Sequence, residues 1–246
     1  IDGHSQMYRA YYAPFRDLTS PAGEPTRATY VFCTMLLRLL QERRPDYVAM
    51  AIDGPAERLE RRQIDPAYKV TRKPMPDDLP GQIDRILQIV RAIGVPVLEA
   101  EGHEADDILA TAVDRLAGGD LDVVLVSRDK DLDQLLGPHA VMYDPMKDEQ
   151  INAEALAEQK GNRPAQAVEA QTLKGDTTDN VPGIPGVGPK TAAKLIAQYG
   201  SAEAVLAHAD ELSPKLAENV RAFAEQLPVT RELVTLRRDV PVELDL

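Results

Sequence analysis

The apolar positions of the chain repeat at two different periods, and the change of period divides it. Residues 27–44 place Ala28, Val31, Phe32, Met35, Leu36, Leu39 and Leu40 at helical spacing, and Pro45 ends that run. The stretch 46–53, DYVAMAID, is short, apolar and bounded, which predicts a buried strand. Helical spacing returns over 83–94. A short strand VPVLEA (95–100), a helix from Glu104 to Leu116, and strands at 122–127 and 140–144 follow. Strands alternating with helices of this length predict an α/β fold with a mainly parallel sheet flanked by helices. Past residue 150 the strand pattern stops, and helices are expected at 153–160, 164–173, 189–199, 201–209, 213–226 and 229–236. The expected organisation is an α/β domain over 1–170 and a helical domain over 171–246. The opening IDGH has no Met and reads as the end of a first strand whose upstream residues are missing.

The acidic residues fall on this strand pattern in a regular way. Asp2 follows the opening strand, and Asp53 ends the next one. Glu104, Asp106 and Asp107 lie just past the third, and Asp129 and Asp131 just past the fourth. All are delivered to the carboxyl edge of one sheet, where open α/β folds bind ligands. Singly, each acid has an ordinary explanation as a helix cap or turn residue. Jointly they repel one another and need a counter-charge. Oxygen-only ligands favour Mg²⁺ or Mn²⁺ over zinc, and two such ions about 4 Å apart form a clamp for phosphoryl chemistry. Asp176 and Asp179, spaced i, i+3, either close this cluster from the second domain or cap a loop. The same spacing puts Glu104 and Asp107 on one helix face and turns Asp106 elsewhere. Asp106 is therefore expected to be the weaker claimant to direct ligation. The run DKDLDQ is not a calcium loop, because position 6 is Gln134 and position 12 is Ala140.

Composition first opposes, then accommodates, a polyanionic partner. The 246 residues carry a formal net charge of −12, which taken globally argues against nucleic acid. Locally the balance reverses. The stretch 183–198, which opens GIPGVGPKTAAKLI, contains no acid and places Lys190 and Lys194 one helical turn apart. It is not a nucleotide-binding P-loop, because Pro189 interrupts the Gly-Lys-Thr and no strand precedes it. A tight hairpin with Pro189 opening a helix is expected, and free N–H groups at such a helix start bind phosphate without reading bases. Residues 55–73 set Arg58, Arg61, Arg62, Lys69, Arg72 and Lys73 against Glu57, Glu60 and Asp65, a local sum of +3. Tyr68 beside Lys69 could stack on a base while the ammonium meets a phosphate. For Arg58, Arg61 and Arg62 a solvated helix face is an equal alternative. A single cysteine, Cys33, excludes an internal disulfide and fits a reducing, cytoplasmic compartment. No apolar run approaches a membrane span, and no leader resembles a signal peptide.

The blocks IDGH, AIDG, YKVTRKPMPDDL, EGHEADDILA, DKDLDQLL and LKGDTTDNVPGIPGVGPKTAAKLIAQYGS occur in this order. As a set they resemble the signature blocks of the bacterial 5′-nuclease (flap endonuclease-like) family, found at the N-terminus of DNA polymerase I and in stand-alone relatives. The resemblance implies a PIN-like nuclease fold, a helical arch at about 55–80, and a C-terminal helix–hairpin–helix type module. It implies one metal group from Asp2, Asp53, Glu104, Asp106 and Asp107 and a second from Asp129, Asp131, Asp176 and Asp179. Lys69 and Arg72 match the family's catalytic basic pair. Arg61, Tyr68, Gly183, Gly186, Gly188, Lys190, Thr191 and Lys194 are the expected DNA contacts, with K⁺ a further expectation at the hairpin. The implied activity is two-metal hydrolysis of DNA at 5′ ends and flaps, as in primer removal, by a monomer or a domain fused to a polymerase. Glu60, Asp65 and Arg128 depart from the family pattern. Two other readings stay open: a PIN-like ribonuclease sharing the acidic edge, and a DNA-binding module without catalysis.

Overall fold

The computed structural model describes residues 1–118 and 120–244. Its strands are short: β1 (Met50–Ala51), β2 (Val97–Leu98), β3 (Val123–Val126), β4 (Ala140–Asp144) and β5 (Glu149–Ile151). β1 pairs parallel with β2, β3 pairs parallel with β4, and β5 joins β4 antiparallel. Residues 1 and 2 sit between these two pieces. The Ala51 N–H donates to the Ile1 carbonyl (2.9 Å), and the Asp2 N–H donates to the Val126 carbonyl (3.2 Å). The opening strand is thus the middle of the sheet, as the carboxyl-edge argument requires.

Successive strand residues point to opposite faces, and the core divides accordingly. Met50, Val126 and Tyr143 belong to one apolar cluster, built with α1 (Gly3–Tyr11), α2 (Arg27–Arg43) and α4 (Pro80–Ala92). Ala51, Leu125 and Met142 belong to the other, built with α5 (Ala105–Leu116) and α6 (Ala153–Lys160). Between β1 and α4 the chain runs through turns whose α-helical part is the four-residue α3 (Arg61–Ile64).

Helix α1 was not legible from periodicity. Its sequence GHSQMYRAY buries Gly3, Gln6, Met7 and Ala10, a face half of which is polar or bare. The Asp2 carboxylate caps it, accepting from Ser5 N–H at 3.2 Å. Gly3 lies so close to β1 that a Cβ there would stand 2.8 Å from the Ala51 carbonyl oxygen.

The remaining helices are α7 (Ala167–Lys174), α8 (Pro189–Tyr199), α9 (Ala202–Ala207), α10 (Pro214–Ala222) and α11 (Leu227–Val234). They enclose their own core, including Leu173, Ile184, Val187, Ile196, Val205 and Phe223. The chain then returns to α5. Leu236 and Val240 enter the second sheet-face cluster, and Arg115 donates to the carbonyls of Val240 and Val242, both at 2.9 Å.

The α7–α8 turn depends on two glycines in backbone contact. Gly175 has φ 68°, and a Cβ on Gly183 would lie 2.2 Å from the Lys174 carbonyl carbon. We expect Gly183→Ala to cost about 1–3 kcal/mol as an overpacked site. Each kcal/mol corresponds to about 2–4 °C in Tm for a chain of this size, readable by thermal unfolding.

Candidate metal centre and its basic surround

Each acid reaches the sheet edge by a local device. Asp2 is fixed by its cap and by the Ser127 hydroxyl, which donates to Oδ2 at 2.6 Å. The same Ser127 oxygen accepts from Asp129 N–H at 3.0 Å, joining two strand ends. Asp53 accepts from Ala105 N–H at 2.8 Å, anchoring the start of α5 against β1. Asp129 caps the 3₁₀ turn Lys130–Leu135 by accepting from Asp131 N–H at 3.0 Å. Asp176 accepts from Thr178 N–H at 2.9 Å in the loop after α7.

These devices bring carboxylate oxygens together in two groups, Asp106 with Asp129 and Asp131, and Asp131 with Asp176 and Asp179. Within each group the oxygens lie within 4.8 Å of one another. Asp131 belongs to both. The expected partition of acids therefore changes, because Asp106 joins Asp129 and Asp131 rather than a separate group with Asp107.

The electrostatics record the crowding. Burial, then the charges of Asp53 and Asp129, push the Asp2 carboxyl up to about 6 against the Ser127 hydrogen bond. Burial and Asp129 likewise push Asp131 up to about 6. Asp106 is raised well above the ordinary range by burial and then by Asp2, Asp129, Asp131 and Asp53. Asp53 goes the other way: burial opposes its charge but is outweighed by His4, Lys69 and the Ala105 N–H. An all-oxygen set whose members raise one another fits a hard divalent cation, which would relieve the repulsion.

The sign of the resulting pH dependence follows by linkage. In the folded chain Asp2 and Asp131 hold protons up to about 6, whereas the unfolded chain releases them near the ordinary 3.8. The metal-free protein therefore loses stability as pH rises through that window, while the depressed Asp53 and Asp107 act only below it. In chelator, we expect a higher Tm near about pH 5 than near about pH 7, and a larger Tm gain from Mn²⁺ at the higher pH. A metal-free Tm that rises from about pH 5 to about pH 7 would contradict the assignment.

Glu104 and Asp107 lie outside both groups. Arg61 is 7% exposed and donates to Glu104 Oε2 (2.7 Å) and to both oxygens of Asp107 (2.7 Å each). It also donates to the carbonyls of Leu233 (2.9 Å) and Thr235 (3.0 Å). The expectation that Arg61 contacts DNA is corrected here: its guanidinium is buried and fully engaged inside the protein. Tyr68 is corrected in the same way. It is 4% exposed, packs with Val181, Leu233 and Val234, and donates its hydroxyl to Glu104 at 2.9 Å, so its ring is closed to a base. The two neighbours also differ in a way opposite to the expected order: Asp106 stands in the cluster and Asp107 in an ion pair.

Lys69 and Arg72 do converge on the acids. Lys69 pairs with Glu104 and stands 3.6 Å from Asp179, and Arg72 pairs with Asp179 at 2.6 Å. The Lys69 backbone is left-handed (φ 58°), and its N–H donates to the Asp179 carbonyl at 2.9 Å. Three contributors escaped the sequence reading. Lys130 pairs with Asp176 at 2.6 Å, Gln171 donates to Asp131 at 2.6 Å, and His4 accepts from Asp53 N–H at 3.0 Å. Their only signal was position: Lys130 separates two of the acids, and His4 lies two residues past Asp2.

The hairpin follows Asp176 and Asp179, and Gly183 packs on the Lys174–Gly175 backbone just before Asp176. Gly186 has φ 83°, Gly188 is the residue before α8, Lys190 and Lys194 are exposed, and Thr191 is half-buried. No helix among the described residues is long and apolar enough to cross a membrane.

Residues 1–161 match the 5′-3′ exonuclease N-terminal resolvase-like domain, and residues 162–246 match the 5′-3′ exonuclease C-terminal SAM fold. The 5′-3′ exonuclease of Aquifex aeolicus (strain VF5) is 37% identical over 244 residues, covering 99% of this chain and 83% of that protein. DNA polymerase I of Rhizobium leguminosarum is 39% identical over 254 residues, covering 100% of this chain and 25% of the polymerase. The chain thus spans about a quarter of that polymerase relative. In fold it is similar to a 5′-exonuclease of bacteriophage T5 with bound zinc, with TM-score 0.74, 21% identity, and 95% of this chain and 87% of that one covered. A complex of the same phage's flap endonuclease with DNA and metal ions gives TM-score 0.71 at 20% identity, covering 95% and 86%.

Proposed function

The chain belongs to the 5′-3′ exonuclease family, and on that premise we propose that it hydrolyses DNA phosphodiester bonds at 5′ ends and 5′ flaps with the help of divalent cations. The observation that carries this reading is the pair of carboxylate groups sharing Asp131, with Lys69 and Arg72 held against their rim. Asp106, Asp129 and Asp131 would hold one ion and Asp131, Asp176 and Asp179 the other, Mg²⁺ or Mn²⁺ in each case. Asp2, Asp53 and Glu104 line the same edge and set its charge. Bound there, the ions supply an acidified water and neutralise charge on the scissile phosphate.

The protein's own groups do the rest. Lys69 and Arg72 exchange their carboxylate partners for non-bridging phosphate oxygens, where fixed cations count most as charge develops. Lys130, tied to Asp176, adds a third cation at the rim. The hairpin around Gly183, Gly186 and Gly188, with Lys190, Thr191 and Lys194, meets duplex phosphates away from the break and holds the substrate in register. A potassium ion held at the hairpin would suit that role.

In this reading residues 1–170 form the nuclease domain, with the arch at about 55–80, and residues 171–246 form the duplex-binding domain. The polymerase relatives support a setting in which this unit lies beside a polymerase; there it would act as a monomeric domain in the cytoplasm, removing primer ends. A Mg²⁺-dependent cleavage assay on a 5′-flap DNA, with product ends mapped, tests the proposal. Products with 5′-phosphate ends at the flap base are expected. Equal or faster cleavage of single-stranded RNA would favour a ribonuclease instead.

A further inference from the structure

Asp106 and Asp107 are adjacent in sequence, yet the structure uses them for opposite purposes. Asp107 is 1% exposed, and both its oxygens are fully taken. Oδ1 accepts from Arg61 Nη2 (2.7 Å) and from Arg237 N–H (2.9 Å). Oδ2 accepts from Arg61 Nη1 (2.7 Å) and from Glu104 N–H (3.1 Å). Four donors fill the lone-pair sites of a carboxylate and leave none for a cation. Arg61 is equally complete, since its five N–H bonds are divided among Leu233, Thr235, Glu104 and Asp107. This buried joint ties three pieces of chain together: the foot of the 55–79 segment, the start of α5, and the end of α11 with the stretch after it.

We propose that Arg61 and Asp107 form a positioning pair for the metal edge, and that of the two adjacent acids only Asp106 ligates a cation. Neighbouring helical residues project about 100° apart, so pinning Asp107 to Arg61 fixes the rotation of α5 and aims Asp106 at Asp129 and Asp131. Glu104 is steered by the same guanidinium and keeps one oxygen for Lys69. Lysine cannot replace Arg61 here, because a point-charge ammonium lacks the five-donor fork. The inference rests on the metal-nuclease reading, and the test separates the two.

The test uses the full chain and its Asp106→Asn, Asp107→Asn, Arg61→Lys and Arg61→Met/Asp107→Asn variants. Bound Mn²⁺ is counted by electron paramagnetic resonance, and flap cleavage is measured below each variant's melting temperature. Asp106→Asn should bind one Mn²⁺ fewer than the parent. Asp107→Asn and Arg61→Lys should keep the parental number, with kcat lowered about 10–100-fold, as loss of a ligand-orienting partner does, and KM little changed. The double variant should be no worse than the single ones, because the two residues act as a unit. Loss of an ion in Asp107→Asn, or parental kcat in Arg61→Lys, would overturn the proposal. Should Asp107→Asn fail to fold, Arg61→Lys carries the measurement. An unchanged ion count in Asp106→Asn would instead overturn the underlying metal reading.

Discussion

Replacing Asp131 by asparagine is expected to lower flap cleavage by about three orders of magnitude or more under saturating Mg²⁺, because on the proposed reading it removes a ligand from both cation groups at once. The amide is isosteric and keeps the hydrogen bond from Gln171, so the 3₁₀ turn that carries residue 131 should persist. What disappears is a negative charge shared by two groups, and several kcal/mol of transition-state stabilisation corresponds to a loss of about 10³. Asp176→Asn touches one group only and should be milder. DNA binding should be retained or strengthened, since a charge that repels phosphates is gone. Single-turnover rates with and without excess Mn²⁺ measure the effect. A variant within tenfold of the parent would refute the shared-ligand role.

Lys69→Met is expected to lower kcat by about 10²–10³, the usual loss when one preorganised donor to a developing charge is removed. The ammonium is mostly buried between Glu104 and Asp179, so it meets the substrate in a poorly screened setting. Its removal leaves Glu104 with Arg61 and Tyr68 as partners, so the local fold should survive. Arg72 is more exposed, at 46% of its side chain, and also pairs with Asp179. Its replacement by methionine should act more on KM than on kcat. The two variants, compared on one flap substrate, should give opposite KM and kcat signatures. Equal loss in KM alone for both would assign them to substrate capture.

How much of this was legible beforehand depended on whether a residue's partner was near in sequence. The carboxyl-edge rule collected the acids of the first domain, because strand ends are visible as apolar runs and Asp2, Asp53, Asp129 and Asp131 each lie within a few residues of one. Helix α8 emerged with its bounds intact, since Pro189 and Gly200 punctuate it at both ends. The surroundings of Arg61, Tyr68 and Asp107 were hidden together and for one reason. Arg61 and Tyr68 meet Glu104 and Asp107 across 36 to 46 residues, Arg61 and Asp107 are completed by Leu233, Thr235 and Arg237 more than a hundred residues downstream, and nothing in a basic stretch of sequence shows that one of its arginines turns inward. The i, i+3 argument was also sound as geometry but misapplied. It put Glu104 and Asp107 on one face, as they are, yet the face they share is the one turned to Arg61. Helix α1 stayed hidden because its buried side carries Gly3 and Gln6 where apolar residues would signal it.

The place of residues 1 and 2 in the sheet has a kinetic consequence. They are the seam between the β1–β2 pair and the β3–β4–β5 piece, and their contacts lie far off, 48 residues away at Ala49 and 125 at Ser127. Long-range pairings of this kind form slowly, because chain closure comes before any contact energy. During synthesis the seam must wait until β3 has left the ribosome, although it is made long before. The acidic edge would then be among the last features to close, so that a nascent chain carries an incomplete set of carboxylates until synthesis has passed β3 and gone on through Asp179.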